Sequence, residues 1–133
     1  AIICTDTSQH HIPLSYYYNI ELVVITGCSS GLGRETVKNL LATDKYHVIG
    51  AVRDVDKMEA VAEVDGFNMD NFHIMECELN SFASVHQFCD ELKEFQMTKP
   101  LDRLICNAGG MCIICMRWCV LVIICCDTLY KFI

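Results

Sequence analysis

Three closely spaced glycines stand where an apolar run of the sequence ends. The run Val23–Gly33 reads Val-Val-Ile-Thr-Gly-Cys-Ser-Ser-Gly-Leu-Gly. It predicts a buried strand, a glycine-rich loop and the start of a helix, whose first N–H groups lack intrahelical acceptors and attract anions. The first glycine would make the tight turn, the second would let the backbone approach a pyrophosphate, and the third would let helix and strand pack closely. The predicted phosphate-binding residues are Gly27, Ser29, Ser30, Gly31 and Gly33.

A basic residue follows the second apolar run, Tyr46–Val52, which predicts another strand. In a dinucleotide-binding fold this position, about 20 residues beyond the glycines, meets the adenosine ribose, where an acid accepts the 2′-hydroxyl and a base receives a 2′-phosphate. Arg53 therefore favours NADPH, and Lys57 could reach the same phosphate. Asp54 leaves an NAD interpretation open, and a solvated surface pair is the alternative to both.

An acidic residue follows the third apolar run, Phe72–Cys77, in the same way. Glu78 and the backbone amide of Leu79 lie where a dinucleotide fold brackets the adenine. The alternative for Glu78 is a helix-capping or solvated carboxylate, because acidic side chains are also favoured near helix N-termini.

Four apolar segments alternate with three segments of helical periodicity, and they must position these side chains. The predicted strands are Glu21–Thr26, Tyr46–Val52, Phe72–Cys77 and Leu101–Cys106. The apolar face of the first predicted helix is Leu32, Val37, Leu40 and Leu41. That of the second is Met58, Val61, Ala62 and Val64, and this helix ends at Asp65 and Gly66. That of the third is Val85, Phe88, Cys89, Leu92 and Phe95; Asn80 or Ser81 caps this helix and Pro100 stops it. Connections of crossover length require parallel strands. We expect an α/β fold, the first half of a Rossmann-like doubly wound sheet with strand order 3-2-1-4 and a ligand crevice at the carboxyl ends of strands 1 and 4.

Length, charge and composition limit the class of molecule that the chain is expected to bind. The 133 residues fit one domain or part of one, and the formal net charge of −7 argues against a nucleic-acid surface, which would need clustered Lys and Arg. A small-molecule partner is expected. Cys28, Cys77, Cys89 and Cys106 lie inside apolar or helical patterns, where we interpret them as reduced core thiols.

The two ends differ in composition from the middle. Residues 1–20 lack sustained periodicity and are interpreted as a flexible extension without a visible targeting pattern, and the pair His10 and His11 is assigned no metal role. Residues 111–133 form an apolar tail, whose sixteen-residue apolar run Met111–Cys126 is too short and, with Arg117, too charged for a bilayer span. We expect strand-like packing of this tail beside strand 4. Its cysteines, which include Cys112, Cys115 and Cys119, lack the framing of a metal site.

Two motifs together resemble the short-chain dehydrogenase/reductase superfamily. They are Thr26-Gly27-x-x-x-Gly31-x-Gly33 and, at the end of strand 4, Asn107-Ala108-Gly109. Within the superfamily, the glycine loop with Arg53-Asp54 is most similar to the light-dependent protochlorophyllide reductase family. The likeness runs from Leu22 to about Gly110, so residues 21–110 are interpreted as a partial NADP-binding domain.

The resemblance implies roles for residues along the motifs. It implies that Leu32 joins the loop residues around the pyrophosphate and ribose, and that Asn107, Ala108 and Gly109 form the floor beneath ribose and nicotinamide. Glu78 stands where the family usually has Asp, one methylene shorter. Cys106 matches the family's Cys-Asn-Ala; it either touches substrate or packs strand 4, and packing is favoured.

The superfamily's chemistry needs a Tyr followed four positions later by a Lys, and this sequence has no such pair. No catalytic residue is therefore assigned, and a truncated or misread coding sequence after Gly110 is the hypothesis. The resemblance implies NADPH-dependent reduction of protochlorophyllide in a plastid, with peripheral membrane contact. The alternatives are another carbonyl or alcohol reductase of the superfamily, or a non-catalytic cofactor-binding or interaction fragment.

Overall fold

The computed structural model describes residues 20–95 and 101–109 of the chain. In these ranges strands and helices alternate along the sequence. The strands are β1 Glu21–Thr26, β2 Tyr46–Val52, β3 Phe72–Glu76 and β4 Arg103–Ile105; the helices are α1 Gly31–Leu41, α2 Val55–Asp65 and α3 Phe82–Phe95. The predicted extension before Ile20, the helix stop at Pro100 and the tail of residues 111–133 lie outside the described residues.

The strands form one parallel sheet with the order β3-β2-β1-β4. Val24 of β1 lies between Ile49 of β2 and Leu104 of β4. Since each pair of successive strands is joined by a helix, the carboxyl ends of all four strands meet at one edge of the sheet. The predicted Rossmann-like order 3-2-1-4 is confirmed.

Helices cover both faces of the sheet and create two apolar layers. On one face, α3 packs through Val85, Phe88, Cys89 and Leu92 against Leu22, Val24, Ile49, Ala51, Met75 and Cys77. On the other, α1 and α2 pack through Val37, Met58 and Ala62 against Ile25, Val48, Val52 and Phe72. Every residue of β1 after Glu21 is buried, as expected for a strand with no face in water.

Two predicted strands are longer than the observed ones. β3 ends at Glu76 rather than Cys77, and β4 covers three residues rather than Leu101–Cys106. At its carboxyl end β4 stops because the N–H of Asn107 turns back to the carbonyl of Ile105; before its first residue, the N–H of Asp102 still donates to the carbonyl of Leu22 in β1. Apolar character alone does not mark where these turns begin.

Three predicted core side chains are exposed instead. Leu32 and Val64 are 77 % and 79 % exposed, and Cys106 is also exposed. Leu32 lies in the first turn of α1, and Val64 lies in the last turn of α2. The expectation that Cys106 packs strand 4 is wrong, because Cys106 follows the last residue of a short edge strand.

Within the described ranges, no helix combines the length and the apolar character that crossing a bilayer requires.

Candidate functional site

A cleft of about 680 Å³ opens at the carboxyl ends of the four strands. Each strand contributes a residue within two positions of its end: Gly27 after β1, Arg53 after β2, Glu78 after β3 and Asn107 after β4. The volume lies in the range of small-molecule sites. The predicted crevice beside strands 1 and 4 is therefore present, and it extends across β2 and β3.

Gly27 makes the turn that leads from β1 into the cleft. Its φ of +66° is a left-handed conformation that other residues rarely adopt, and an added Cβ would lie 2.7 Å from the Cα of Ala108. The N–H of Gly27 donates to the carbonyl of Ala51 at 3.0 Å, which continues the β1–β2 ladder to the rim of the cleft. The loop therefore contacts the end of β2 and the segment that follows β4, and there is no room for a side chain at position 27.

The N-terminus of α1 opens onto the cleft without a side-chain cap. Ser30 precedes the helix in extended conformation, but its hydroxyl makes no capping hydrogen bond. The other two helices differ: Asp54 Oδ1 accepts the N–H of Lys57 at 2.9 Å, and Ser81 Oγ accepts the N–H of Ser84 at 3.3 Å. The first N–H groups of α1 and the helix dipole are consequently available to an anion in the cleft.

Thr26 joins the ends of β1 and β4 beneath the cleft. Its buried hydroxyl accepts the N–H of Asn107 at 3.2 Å and that of Ala108 at 3.1 Å. The amide of Asn107 in return donates to the carbonyls of Thr26 and Gly27, at 3.2 and 2.9 Å. The sequence motif contains Thr26, but its spacing gives no sign that the hydroxyl would serve two amides that follow another strand.

Charged side chains gather at the β2–β3 side of the cleft. Its lining includes two cations, Arg53 and Lys57, and two carboxylates, Asp54 and Glu78. The Nε of Arg53 lies 3.8 Å from Oε2 of Glu78, and the Arg53 side chain is 77 % exposed. One oxygen of Asp54 caps α2 through the N–H of Lys57.

The structure brings nearly all predicted site residues to this cleft. Those that line it are Gly27, Ser29, Ser30, Leu32, Arg53, Lys57, Glu78, Leu79, Asn107, Ala108 and Gly109. Gly31 and Gly33 do not line it. Gly33 is buried instead, and a side chain there would collide with the amide of Asn107 and the carbonyl of Gly27, so Gly33 allows α1 to pack against the loop.

Several residues that line the cleft were not predicted to do so. These are Ala51, Val52, Cys77 and Asn80, and Asp54 was predicted only as an alternative acid. The first three are the last two residues of β2 and the residue after β3, and they appear as ordinary core residues in an apolar pattern. Their one available signal is position, since the last residue of a parallel strand borders the crevice.

The thiols of Cys28 and Cys77 are buried and have raised pKa values. Burial raises the pKa of Cys77, beside the cleft, to about 12, and burial likewise raises the pKa of Cys28 to about 11. The Cys28 thiol lies 3.9 Å from the thioether sulfur of Met58 in the core. Among residues 20–95 and 101–109, no three His, Cys, Asp or Glu side chains are grouped as a metal site would require.

The chain is similar in sequence to a known family and to curated proteins. The model of the short chain dehydrogenase family matches residues 21–117. The chain is 49 % identical over 87 residues to a chloroplastic protochlorophyllide reductase of Cucumis sativus, and 48 % identical over 87 residues to protochlorophyllide reductase A of Arabidopsis thaliana. Each match covers 65 % of this chain and 21 % of the relative, so the chain spans about a fifth of the length of these curated relatives.

Solved structures share the same fold. An NADPH-bound carbonyl reductase from chicken fatty liver superposes with a TM-score of 0.61 at 25 % identity, covering 69 % of this chain and 35 % of the other. Menthone neomenthol reductase from Mentha piperita gives a TM-score of 0.59 at 27 % identity, covering 68 % and 32 %. The parallel sheet, the glycine loop at its carboxyl edge and the match over residues 21–117 lead to one conclusion: the chain belongs to the short-chain dehydrogenase family.

Proposed function

We propose that residues 21–110 form the cofactor-binding half of an NADPH-dependent oxidoreductase. The observation that carries the proposal is the uncapped N-terminus of α1, which opens onto a cleft that also holds Arg53. An N-terminus with available N–H groups suits a pyrophosphate, and a guanidinium one strand away suits a second phosphate. When bound, the nicotinamide of NADPH supplies a hydride.

Each part of the cleft has a proposed contact. The loop residues Gly27, Ser29, Ser30, Gly31, Leu32 and Gly33 surround the pyrophosphate and ribose; Arg53 and Lys57 bind the 2′-phosphate; Glu78 and Leu79 border the adenine; Asn107, Ala108 and Gly109 lie beneath the nicotinamide. Gly27 and Gly33 let the loop pack against Ala108 and Asn107, whereas a Cβ at Gly31 would meet no protein atom within 4 Å, so the backbone there is open to an approaching phosphate.

The exposed guanidinium of Arg53 and the capping role of Asp54 favour NADPH over NADH. An acid that selects NADH must offer its oxygens to the ribose 2′-hydroxyl. One oxygen of Asp54 already accepts the N–H of Lys57 at 2.9 Å as the cap of α2. Arg53, by contrast, is largely exposed and lines the cleft, where its planar fork can bind phosphate.

Calorimetric titration of the 133-residue chain with NADPH and NADH tests the cofactor assignment. Arg53→Ala should weaken NADPH binding by about 1.5 to 3 kcal/mol, the scale of a hydrogen bond to a charged group, and should leave NADH binding nearly unchanged. Lys45→Ala removes an exposed cation at the amino end of β2, opposite the cleft, and serves as the control. Equal NADPH affinity in the parent and Arg53→Ala proteins would refute the phosphate assignment.

The proposed substrate is protochlorophyllide, and the proposed location is a plastid with peripheral membrane contact. Curated relatives with these names share 44–49 % identity with the chain, whereas the carbonyl and menthone reductases share 25–27 %. Because no Tyr precedes a Lys by four positions in this sequence, we expect the chain to bind NADPH without reducing a substrate.

A chimera tests the substrate class. Residues 21–109 would replace the corresponding segment of a plant protochlorophyllide reductase and, in parallel, of a carbonyl reductase. We expect light-dependent loss of pigment absorbance to persist in the first chimera and carbonyl reduction to be lost in the second. A first chimera that is folded and binds NADPH but leaves the pigment unreduced would favour the carbonyl reductase alternative.

A further inference from the structure

Resting on the proposed function, we propose that Glu78 is a specificity-determining residue of the cleft. Its carboxylate competes with the 2′-phosphate of NADPH for the guanidinium of Arg53. The Glu78 side chain thereby reduces the preference of the site for the phosphorylated dinucleotide over the plain one.

The Glu78 carboxylate is held in place by the turn that precedes α3. Its N–H donates to Ser84 Oγ at 2.9 Å, and its carbonyl accepts the N–H of Ser81 at 3.0 Å. Its Oε1 accepts the N–H of Asn80 at 3.0 Å. Both the backbone and one carboxylate oxygen are therefore fixed, which leaves Oε2 to face Arg53.

Arg53 is the less constrained partner of this pair. Its Nε lies 3.8 Å from Oε2 of Glu78, and its side chain is 77 % exposed compared with 32 % for Glu78. The separation is an ion pair without a direct hydrogen bond. When a phosphate enters, the guanidinium is consequently the group that reorients, and the carboxylate stays.

Competition follows from the chemistry of the two anions. A guanidinium binds a carboxylate or a phosphate through the same fork of N–H groups, so the one Arg53 cannot give its full charge to both. Lys57 adds a second cation and Asp54 a second carboxylate, so formal charge along the cleft is balanced. Removing the Glu78 charge leaves an excess of one cation facing the phosphate.

The length of the side chain matters as well. An Asp at position 78 would place its carboxylate about 1.5 Å farther back along the side chain. At that length the ion pair with Arg53 would be lost while the acidic group near the adenine region would remain. Glu78→Asp therefore separates competition for Arg53 from any contact with the adenine.

The test is the ratio of the NADH and NADPH dissociation constants, measured by calorimetry on the full chain. This ratio cancels contacts that both dinucleotides share, including those with the adenine. Glu78→Gln and Glu78→Asp should each raise the preference for NADPH by about two- to fivefold, the range that an exposed ion pair contributes. Glu63→Gln, an exposed carboxylate on α2 outside the cleft, should leave the ratio unchanged.

A double-mutant cycle identifies the mechanism. In an Arg53→Ala background, Glu78→Gln should no longer change the ratio, because the contested guanidinium is absent. An equal increase in that background would show direct repulsion of the phosphate and overturn competition. If Arg53→Ala weakens NADPH binding but neither Glu78 variant changes the ratio, this inference fails and the proposed function stands. Absence of NADPH binding in the parent chain would contradict both.

Discussion

Gly27 and Gly66 have nearly the same backbone conformation in different surroundings. Their φ angles are +66° and +67°, both in the left-handed region. Gly66 caps α2, and a Cβ there would meet open space, whereas at Gly27 it would lie 2.7 Å from the Ala108 backbone. The pair separates the cost of a left-handed backbone from the cost of close packing at the cleft.

Substituting alanine at both positions measures that difference. Gly66→Ala should destabilise the chain by about 1 to 2 kcal/mol, the cost of a left-handed L-residue. Gly27→Ala should cost about 1 to 3 kcal/mol more, because Ala108 must shift to admit the methyl group. Urea unfolding of both variants gives the two free energies. Equal losses would contradict the close approach of the loop to Ala108.

At the scale of single residues, the sequence predicts which residues line the cleft better than it predicts the hydrogen bonds and the exposure of each side chain. Arg53 and Glu78 follow strands in the sequence, and both line the cleft. The cap formed by Asp54 was not predicted, because a capping bond to Lys57 N–H depends on where α2 begins. The exposure of Leu32 was missed because helical spacing places it on an apolar face but does not reveal that it lines an open cleft.

At the scale of elements, the bounds of a strand are predicted correctly where the strand is buried between helices on both faces of the sheet. β1 and β2 have the predicted bounds, since both are buried between helices and read as unbroken apolar runs. β4 is shorter than predicted, and the residues that flank it, Asp102 and Asn107, bond to Leu22 and Thr26, about 80 residues away in the sequence. Such long-range partners leave no local pattern.

An ion pair between α1 and α2 is another element-scale feature without a local signal. Arg34, in the first turn of α1, donates from Nε and Nη2 to the two carboxylate oxygens of Asp65 at 2.6 Å each. Lys38 lies 3.9 Å from the same carboxylate. The Arg34 hydrogen bonds hold the pKa of Asp65 below its usual value. The pair thus ties the phosphate-loop helix to the end of α2.

This pair predicts a pH-dependent contribution to stability. Because the folded chain lowers the pKa of Asp65, its stabilisation is present above the unfolded pKa of about 3.9 and is lost as pH falls through the lower folded value. The urea midpoint of Asp65→Asn should therefore fall below that of the parent at neutral pH, and the gap should narrow in acid. Asp70→Asn, in the exposed turn before β3, is the control. A gap that stays constant with pH would contradict the role of the Asp65 charge.

At the scale of the whole molecule, the parallel topology assembles the site from distant segments. The motif that begins at Thr26 and the motif that begins at Asn107 meet because β1 and β4 are neighbours in the sheet. Arg53 and Glu78 meet because β2 and β3 are neighbours. The strand order was predictable from crossover lengths, and with it the edge of the sheet where the site lies. The competition between Glu78 and Arg53 depends on side-chain reach and required the structure.

The most direct test of the central claim is a map of backbone amide shifts in the ¹⁵N-labelled chain during titration with NADPH. We predict saturable shifts at Gly31, Leu32 and Gly33, whose N–H groups lie in the uncapped first turn of α1, and at Arg53. The amide signals of residues at the amino ends of the strands, such as His47 and His73, should not shift. Saturable shifts at the His47 edge with none in the first turn of α1 would contradict the assignment of the cleft as the dinucleotide site.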